Sequence, residues 1–404
     1  MSLTESASRS RLTVPLAYFA FITIGFAGGL IGVAWSSMQT EFGRELSEVG
    51  ILLLATTLGY LTASFGSGAV ASRFGYGRMF VLGAALLTVG LLGYTVAPVW
   101  ILLILTAFLG GIGNGTIDAG LNAYMAAHHS ARVMNWLHAC FGIGITFAPL
   151  VMTFSVNNFD WRLGYLIAAI IAGVLCVMFL ATRRIWLAPV TQTASTEHPQ
   201  RRALIQSLRV PLVWLGVFMF VLVAGVEATP GQWGFDILNT ARGIDATTAG
   251  FWVSVYWASF TIGRIFFGAI MPRLSPIGLV RGCMIGMLFG GVLFWWNPTN
   301  TVGILGLVVM GFAQAPLFPV LILNTPRLIG EARASYAIGF QVAGAGLGVA
   351  IVPGIAGILA QNFSLETIPP YMVILTLVII GLNEVMNARA SRPVVPVVSP
   401  VAGD

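Results

Sequence analysis

Long apolar runs alternate with short polar breaks along almost the whole chain. A helix needs roughly 20 apolar residues to cross a bilayer. Twelve stretches reach that length: about 13–36, 47–71, 79–97, 99–126, 133–156, 162–182, 211–236, 248–271, 279–297, 301–324, 335–360 and 369–388. Strands of a membrane barrel would alternate over about ten residues. These runs are longer and uniformly apolar, so they predict an all-α membrane protein with twelve transmembrane helices. The first ten residues are polar, and the first run is of spanning length without a small-residue cleavage site. It therefore reads as helix one rather than a removed leader.

The longest polar break, 183–209, contains "TQTASTEHPQRR" and divides the spans six and six. Its composition is that of a mobile linker. The expected units are an N-terminal bundle (1–184), a cytoplasmic linker (185–209), a C-terminal bundle (210–390) and a proline-punctuated disordered tail (391–404). The two halves repeat one another. "GAVASRF" at 68–74 returns as "GAIMPRL" at 268–274, pairing Gly68 with Gly268 and Arg73 with Arg273 at an offset of 200. "GIGITFAP" at 142–149 returns as "GLGVAIVP" at 346–353, at an offset of 204. Ordered anchors at nearly constant offset indicate a duplicated six-helix unit, hence two pseudo-symmetric bundles.

Composition agrees. Hydrophobic residues make up 57% and charged residues 8% of the 404 positions, against about a quarter charged in a soluble domain. The net charge of +6 comes entirely from arginine, since the chain has no lysine. With both termini cytoplasmic, only Arg44, Arg162 and Arg242 fall outside, while Arg264 lies within a span. That asymmetry follows the positive-inside rule and requires an even number of spans. It assigns the basic charge to membrane orientation and not to nucleic acid. Cys140, Cys176 and Cys283 lie inside spans without metal-ligand spacing and read as small apolar fillers.

The loop after span two, Gly68-Ala-Val-Ala-Ser72-Arg73-Phe-Gly75-Tyr-Gly-Arg78, resembles the Gly-x-x-x-Asp-Arg-x-Gly signature of the major facilitator superfamily. It departs at Ser72, where the signature has Asp. "DWRLGY" (160–165) is also similar to that superfamily, and the resemblance covers almost the whole chain. Asp118-Ala-Gly-Leu-Asn122-Ala-Tyr124 resembles the Glu-x-x-x-Asn-x-Tyr pattern in span four of the fucose–proton symporter branch, with Asp for Glu. "NWLHACFGIG" (135–144) and "GVEATPGQW" (225–233) are similar to the same branch and its relatives. The branch's acid in span one has no counterpart in "FITIGFAGGLIGVAW" (21–35). The resemblance implies alternating access, a gating loop at Gly68, Ser72, Arg73, Gly75 and Arg78 with Arg273 in the second half, and a site between the halves lined mainly by spans one, four, seven and ten.

Polar groups inside the spans are the candidate site. Asn114, Asp118 and Asn122 are spaced four apart and share one face of span four. An aspartate facing lipid at the bilayer centre costs at least ~2.5 kcal/mol, so Asp118 needs a partner or a wet cavity. On span five, His138 reads either as a neutral histidine held by a carbonyl or as a proton-relay member. At about 1.5 Å per residue, it lies roughly 6 Å from Asp118 in depth. Glu227 is the second deep acid, and the following Pro230-Gly231 should interrupt span seven. Arg264 either snorkels to the cytoplasmic face or pairs with a carboxylate inside the bundle. Gln232, Gln314 and Gln341 are candidate hydroxyl partners. Trp35, Trp136, Trp233, Tyr256 and Trp257 are candidate stacking faces, or else anchors and packing.

These residues support a secondary transporter of a small polar solute, with sugars among the candidates. Asp118, Glu227 and His138 would couple protons. Asp118, Asn114, Asn122, His138, Trp233, Gln232, Gln314, Gln341 and Trp35 would bind substrate. The alternative is a proton-driven exporter of amphipathic or drug-like compounds. The scattered acids offer no nucleophile, metal triad or cofactor fingerprint, and no P-loop is visible. No enzyme activity, metal or cofactor is therefore expected. The expected partners are the small-molecule substrate, protons and the bilayer of the inner cell membrane, with the chain acting as a monomer.

Overall fold

The computed structural model describes residues 3–186, 208–270 and 273–390. Most of the linker expected at 185–209, and all of the tail at 391–404, lie outside the described residues. Every described span is helical. Span one comprises Leu3–Gly28 and Ile31–Phe42, followed by Val49–Phe74 (two), Tyr76–Val96 (three), Trp100–His128 (four), Ala131–Asn158 (five) and Trp161–Thr182 (six). The second half has Pro211–Asp236 (seven), Ala246–Ile270 (eight), Pro276–Trp296 (nine), Asn300–Gln314 with Leu317–Ile329 (ten), Glu331–Asn362 (eleven) and Ile368–Ala390 (twelve). Eleven spans qualify as single crossings by length and apolarity, and the bent pair in span one makes the twelfth.

Local chemistry sets the helix ends. Asp160 accepts a 2.9 Å hydrogen bond from the amide of Arg162 and starts span six. Ser275 accepts one of 3.1 Å from Gly278 at the start of span nine. Both are side-chain caps on otherwise orphaned amides. Pro211 and Pro276 occupy first-turn positions, where a missing N–H costs nothing. Gly75 has φ +77° and turns span two into span three within one residue.

One expectation fails here. Pro230 and Gly231 do not interrupt span seven, which runs unbroken through them and ends in a π turn at Ile237–Ala241. A proline deprives carbonyls in the preceding turn of their amide partners. The hydroxyl of Tyr256 donates a 2.6 Å bond to the carbonyl of Glu227, so a neighbouring helix adds a donor in the turn before the proline. The break falls instead in span one, where the chain bends by 40° between Gly28 and Ile31.

The two halves pack by the same rules. Spans one and five, two and four, three and four, and three and six pack together in the first half. Their counterparts seven and eleven, eight and ten, nine and ten, and nine and twelve pack together in the second. Equivalent glycines make equivalent approaches. Gly144 of span five lies against the carbonyl of Ile22, and Gly348 of span eleven against that of Val221. Gly59 meets the carbonyl of Phe108, and Gly263 that of Phe312. Lipid is as apolar as a side chain, so close van der Waals approach of this kind holds membrane helices together.

Across the halves, span two packs on eleven, five on eight and one on seven. The arginine-bearing ends at Arg73, Arg78 and Arg273 define a basic face, which also carries the first and last helix ends. The halves are joined at the opposite face. There Gln361 accepts a 3.1 Å bond from the amide of Ser47 and donates one of 2.6 Å to Glu45. Asn157 donates a 3.1 Å bond to Thr247. A Cβ on Gly50 would lie 3.2 Å from the Cα of Gly354. Towards the basic face, Gly66, Gly68, Gly268 and Gly339 border open space.

Candidate functional site

Asp118 is half-buried in span four, and both carboxylate oxygens are engaged. Tyr60 of span two donates a 2.5 Å hydrogen bond to Oδ2. Asn122, one turn along the same helix, donates a 3.0 Å bond to Oδ1. Glycine makes the first contact possible: Gly111 and Gly115 lie against the backbone of Thr56 and Tyr60, so spans two and four touch. A carboxylate accepting two hydrogen bonds keeps part of the solvation it would have in water.

The second half has its own polar centre. Nη2 of Arg264 in span eight lies 3.8 Å from Oε1 of Glu227 in span seven. Its guanidinium lies over the Phe260 ring, 4.3 Å from the centroid. Arg264 therefore pairs inside the bundle. Helix side chains tilt towards the helix N-terminus. Span eight begins at the opposite face, so Arg264 is aimed inward. Gln314 of span ten donates to the Tyr256 hydroxyl, which donates to the Glu227 carbonyl. Spans seven, eight and ten are thereby joined around Glu227.

His138 is exposed and meets Phe21 edge-on, with ring centroids 5.6 Å apart. Asp118 and His138 are not brought into direct contact; Asp118 is held by Tyr60 and Asn122. Asn114 is half-buried on the Asp118 face. Trp35 and Trp233 are fully buried, and their indole N–H groups donate to the carbonyls of Leu46 (3.0 Å) and Pro353 (2.9 Å). Both rings are packing elements here and offer no open stacking face. Gln341 is buried and accepts a 2.9 Å bond from Thr325. Gln232 is buried next to Gly32, and its Nε2 has no partner among the described residues. Trp136 is exposed, and Trp257 lies against Gly231.

The gating-loop residues sit together at the basic face. Ser72 is exposed and donates a 2.9 Å bond to Ala69 of its own helix. Arg73 lies over its neighbour Phe74 at 5.5 Å, and Gly68, Arg78 and Arg273 are exposed.

Sequence reasoning missed several groups. Tyr60 carried no signal, because its role depends on which helix faces Asp118. Asp236 is 2% exposed, and its Oδ2 has no partner among the described residues. It is the last residue of span seven, where nothing in the sequence signals that its side chain is buried. At the opposite face, Arg162 grips Glu41 with bonds of 2.6 and 2.5 Å, and Arg242 grips Glu366 with bonds of 2.8 and 2.9 Å. An apolar groove of about 720 Å³ between spans eight, nine and ten is lined by residues such as Ile262, Phe267 and Phe312. It opens to the outside of the bundle and carries no charged group.

Two related six-helix halves with charged groups held between their helices define a multi-pass membrane protein. The chain belongs to the Major Facilitator Superfamily, whose family model matches residues 17–299 and 234–396. It is thus a secondary transporter, of a family of transporters and not of enzymes. It is 22% identical to the glucose/mannose transporter of Bacillus subtilis, over 86% of this chain and 88% of that one. It is 23% identical to the 3-(3-hydroxy-phenyl)propionate transporter of Escherichia coli, over 78% and 81%. The fold matches a crystal structure of a point mutant of a nucleoside transporter with a TM-score of 0.77, at 14% identity over 94% and 99% of the two chains. It also matches the fucose:proton symporter of E. coli with a TM-score of 0.62, at 16% identity over 93% and 99%.

Proposed function

We propose that this chain takes a small polar solute, with sugars as leading candidates, across the inner cell membrane together with protons by alternating access. The observation that carries this reading is the carboxylate of Asp118, held inside the membrane by Tyr60 and Asn122. Two hydrogen bonds stabilise its charge, and protonation removes that charge altogether. Asp118 can therefore exist in either state at membrane depth, as a proton carrier must. With the basic face cytoplasmic, the closure at Gly50 and Gly354 is an outer gate and the described conformation opens inward. The likeness to a glucose/mannose transporter supports a sugar-like solute. On this reading residues 1–184 and 210–390 rock as units about a monomer's central site.

The test is uptake into proteoliposomes driven by an imposed proton gradient. Asp118→Asn should abolish accumulation of the labelled solute while leaving counterflow exchange, which moves no net proton, in place. Unchanged accumulation would remove Asp118 from coupling. Loss of folded protein would make Asp118 a structural residue. Gradient-driven efflux of amphiphiles without solute uptake would favour the exporter.

A further inference from the structure

We propose that the solute carries a carboxylate, and that Arg264 is the group that receives it. This rests on the transport reading above and narrows its substrate class.

Arg264 is an arginine with work left undone. A guanidinium has five N–H donors in a rigid fork. Among the described residues none of them makes a hydrogen bond, and the buried Nε has no partner at all. Its nearest carboxylate oxygen, on Glu227, is 3.8 Å away, beyond hydrogen-bonding reach.

The same chain closes its other partly buried arginine pairs. Arg162 and Arg242 each make two bonds to one carboxylate, between 2.5 and 2.9 Å. Among the described residues only the Arg44–Glu48 contact is as long, at 3.8 Å, and with side chains 38% and 24% exposed it can be completed by water. An arginine inside the bilayer is costly, and an ion pair there offsets that cost only with good geometry. The open geometry at Arg264 is therefore that of a site missing its second carboxylate.

Position supports the same conclusion. Gly142 of span five meets Thr261 of span eight where the halves touch. Arg264 lies three residues further towards the basic face, about 4.5 Å along the helix. On the facing helix His138 is exposed one turn from Gly142. The side chain of Arg264 is 29% exposed and that of Glu227 is 19% exposed, so neither is fully enclosed by protein. Phe260 covers one face of the guanidinium, at 4.3 Å. That leaves the edge of the fork, which matches a carboxylate's two oxygens. Glu227 beside it repels a doubly charged phosphate more strongly than a singly charged carboxylate.

The test uses the purified full-length chain with acids and their amides as matched pairs: benzoate and benzamide, L-lactate and L-lactamide, D-glucuronate and D-glucuronamide. Calorimetric titration and thermal shift read binding. At least one acid should bind, and its amide should bind at least about tenfold more weakly. Arg264→Lys keeps the charge but loses the fork and should weaken that acid about tenfold. Arg264→Gln should abolish its binding, and Glu227→Gln should retain it. If Arg264→Gln does not fold, Arg264→Lys decides. Equal binding of acid and amide, unchanged acid binding in Arg264→Lys, or no binding by any acid overturns the proposal. Gradient-driven accumulation of D-glucose with no uptake of the acids would overturn it too, while leaving proton-coupled transport standing.

Discussion

The hydroxyl of Tyr60 lies 2.5 Å from Oδ2 of Asp118, joining span two to span four at the most conspicuous acid of the first half. A hydrogen bond to a charged group contributes roughly 1.5–3 kcal/mol. Tyr60→Phe should therefore lower the melting temperature measurably and reduce gradient-driven accumulation. In Tyr60→Phe/Asp118→Asn the two losses should be less than additive, because both remove one interaction. Full additivity would mean that the two residues act separately.

Glu227 and Asp118 should serve different steps, since they lie on helices of opposite halves with separate partners. Glu227→Gln should keep solute binding but lose its pH dependence. Asp118→Asn should weaken binding without abolishing it. Titration calorimetry at several pH values reads both outcomes, and loss of binding in Glu227→Gln would make Glu227 a substrate ligand.

The closure opposite the basic face depends on the absence of side chains at Gly50 and Gly354. Gly354→Leu should wedge it apart and shift the population away from the described state. A pair of spin labels at Ser47 and Gln361, whose groups are bonded at 3.1 Å here, should report a longer distance. An unchanged distance would show that the helices absorb the added volume.

Among the described residues Ser72 bonds only its own helix, at Ala69. Ser72→Asp restores the charge of the superfamily signature at the N-terminal side of Arg73. It should favour closure of the basic face, read as a shorter distance between labels near Arg73 and Arg273. No change would mean that this loop does not set the conformational balance.

Arg242 has a side chain 3% exposed and bonds both oxygens of Glu366 and the carbonyl of Phe294. Arg242→Ala removes these bonds and leaves a buried void; Glu366 is 42% exposed and can be rehydrated, so the loss should fall below the roughly 3–5 kcal/mol of a fully buried broken pair. Thermal unfolding should detect it, with transport by the surviving folded fraction intact.

The spans, the duplication and the basic asymmetry are all present in the one-dimensional pattern. Crossing a bilayer demands length and apolarity, and both are local properties of a segment. The offset between Gly144 and Gly348 already announced that spans five and eleven would pack alike, and each meets the carbonyl of its partner helix. The deep acids were legible for the same reason: a charge within a span is anomalous wherever the helix points. Asp118, Glu227 and Arg264 stand out on that ground alone.

Partners were another matter. Nothing in the sequence joins Tyr60 to Asp118, 58 residues away, or Arg264 to Glu227, because helix faces are chosen by packing against all neighbours at once. Trp35 and Trp233 looked like stacking faces but are sealed within helix contacts and bonded to backbone carbonyls. Pro230 looked like a break, yet Tyr256 from the next span reaches the Glu227 carbonyl, and the bend passes to the glycines of span one. Composition decides that a segment enters the membrane. Which of its polar atoms remain unsatisfied, as at Arg264, is decided only when twelve helices share one volume.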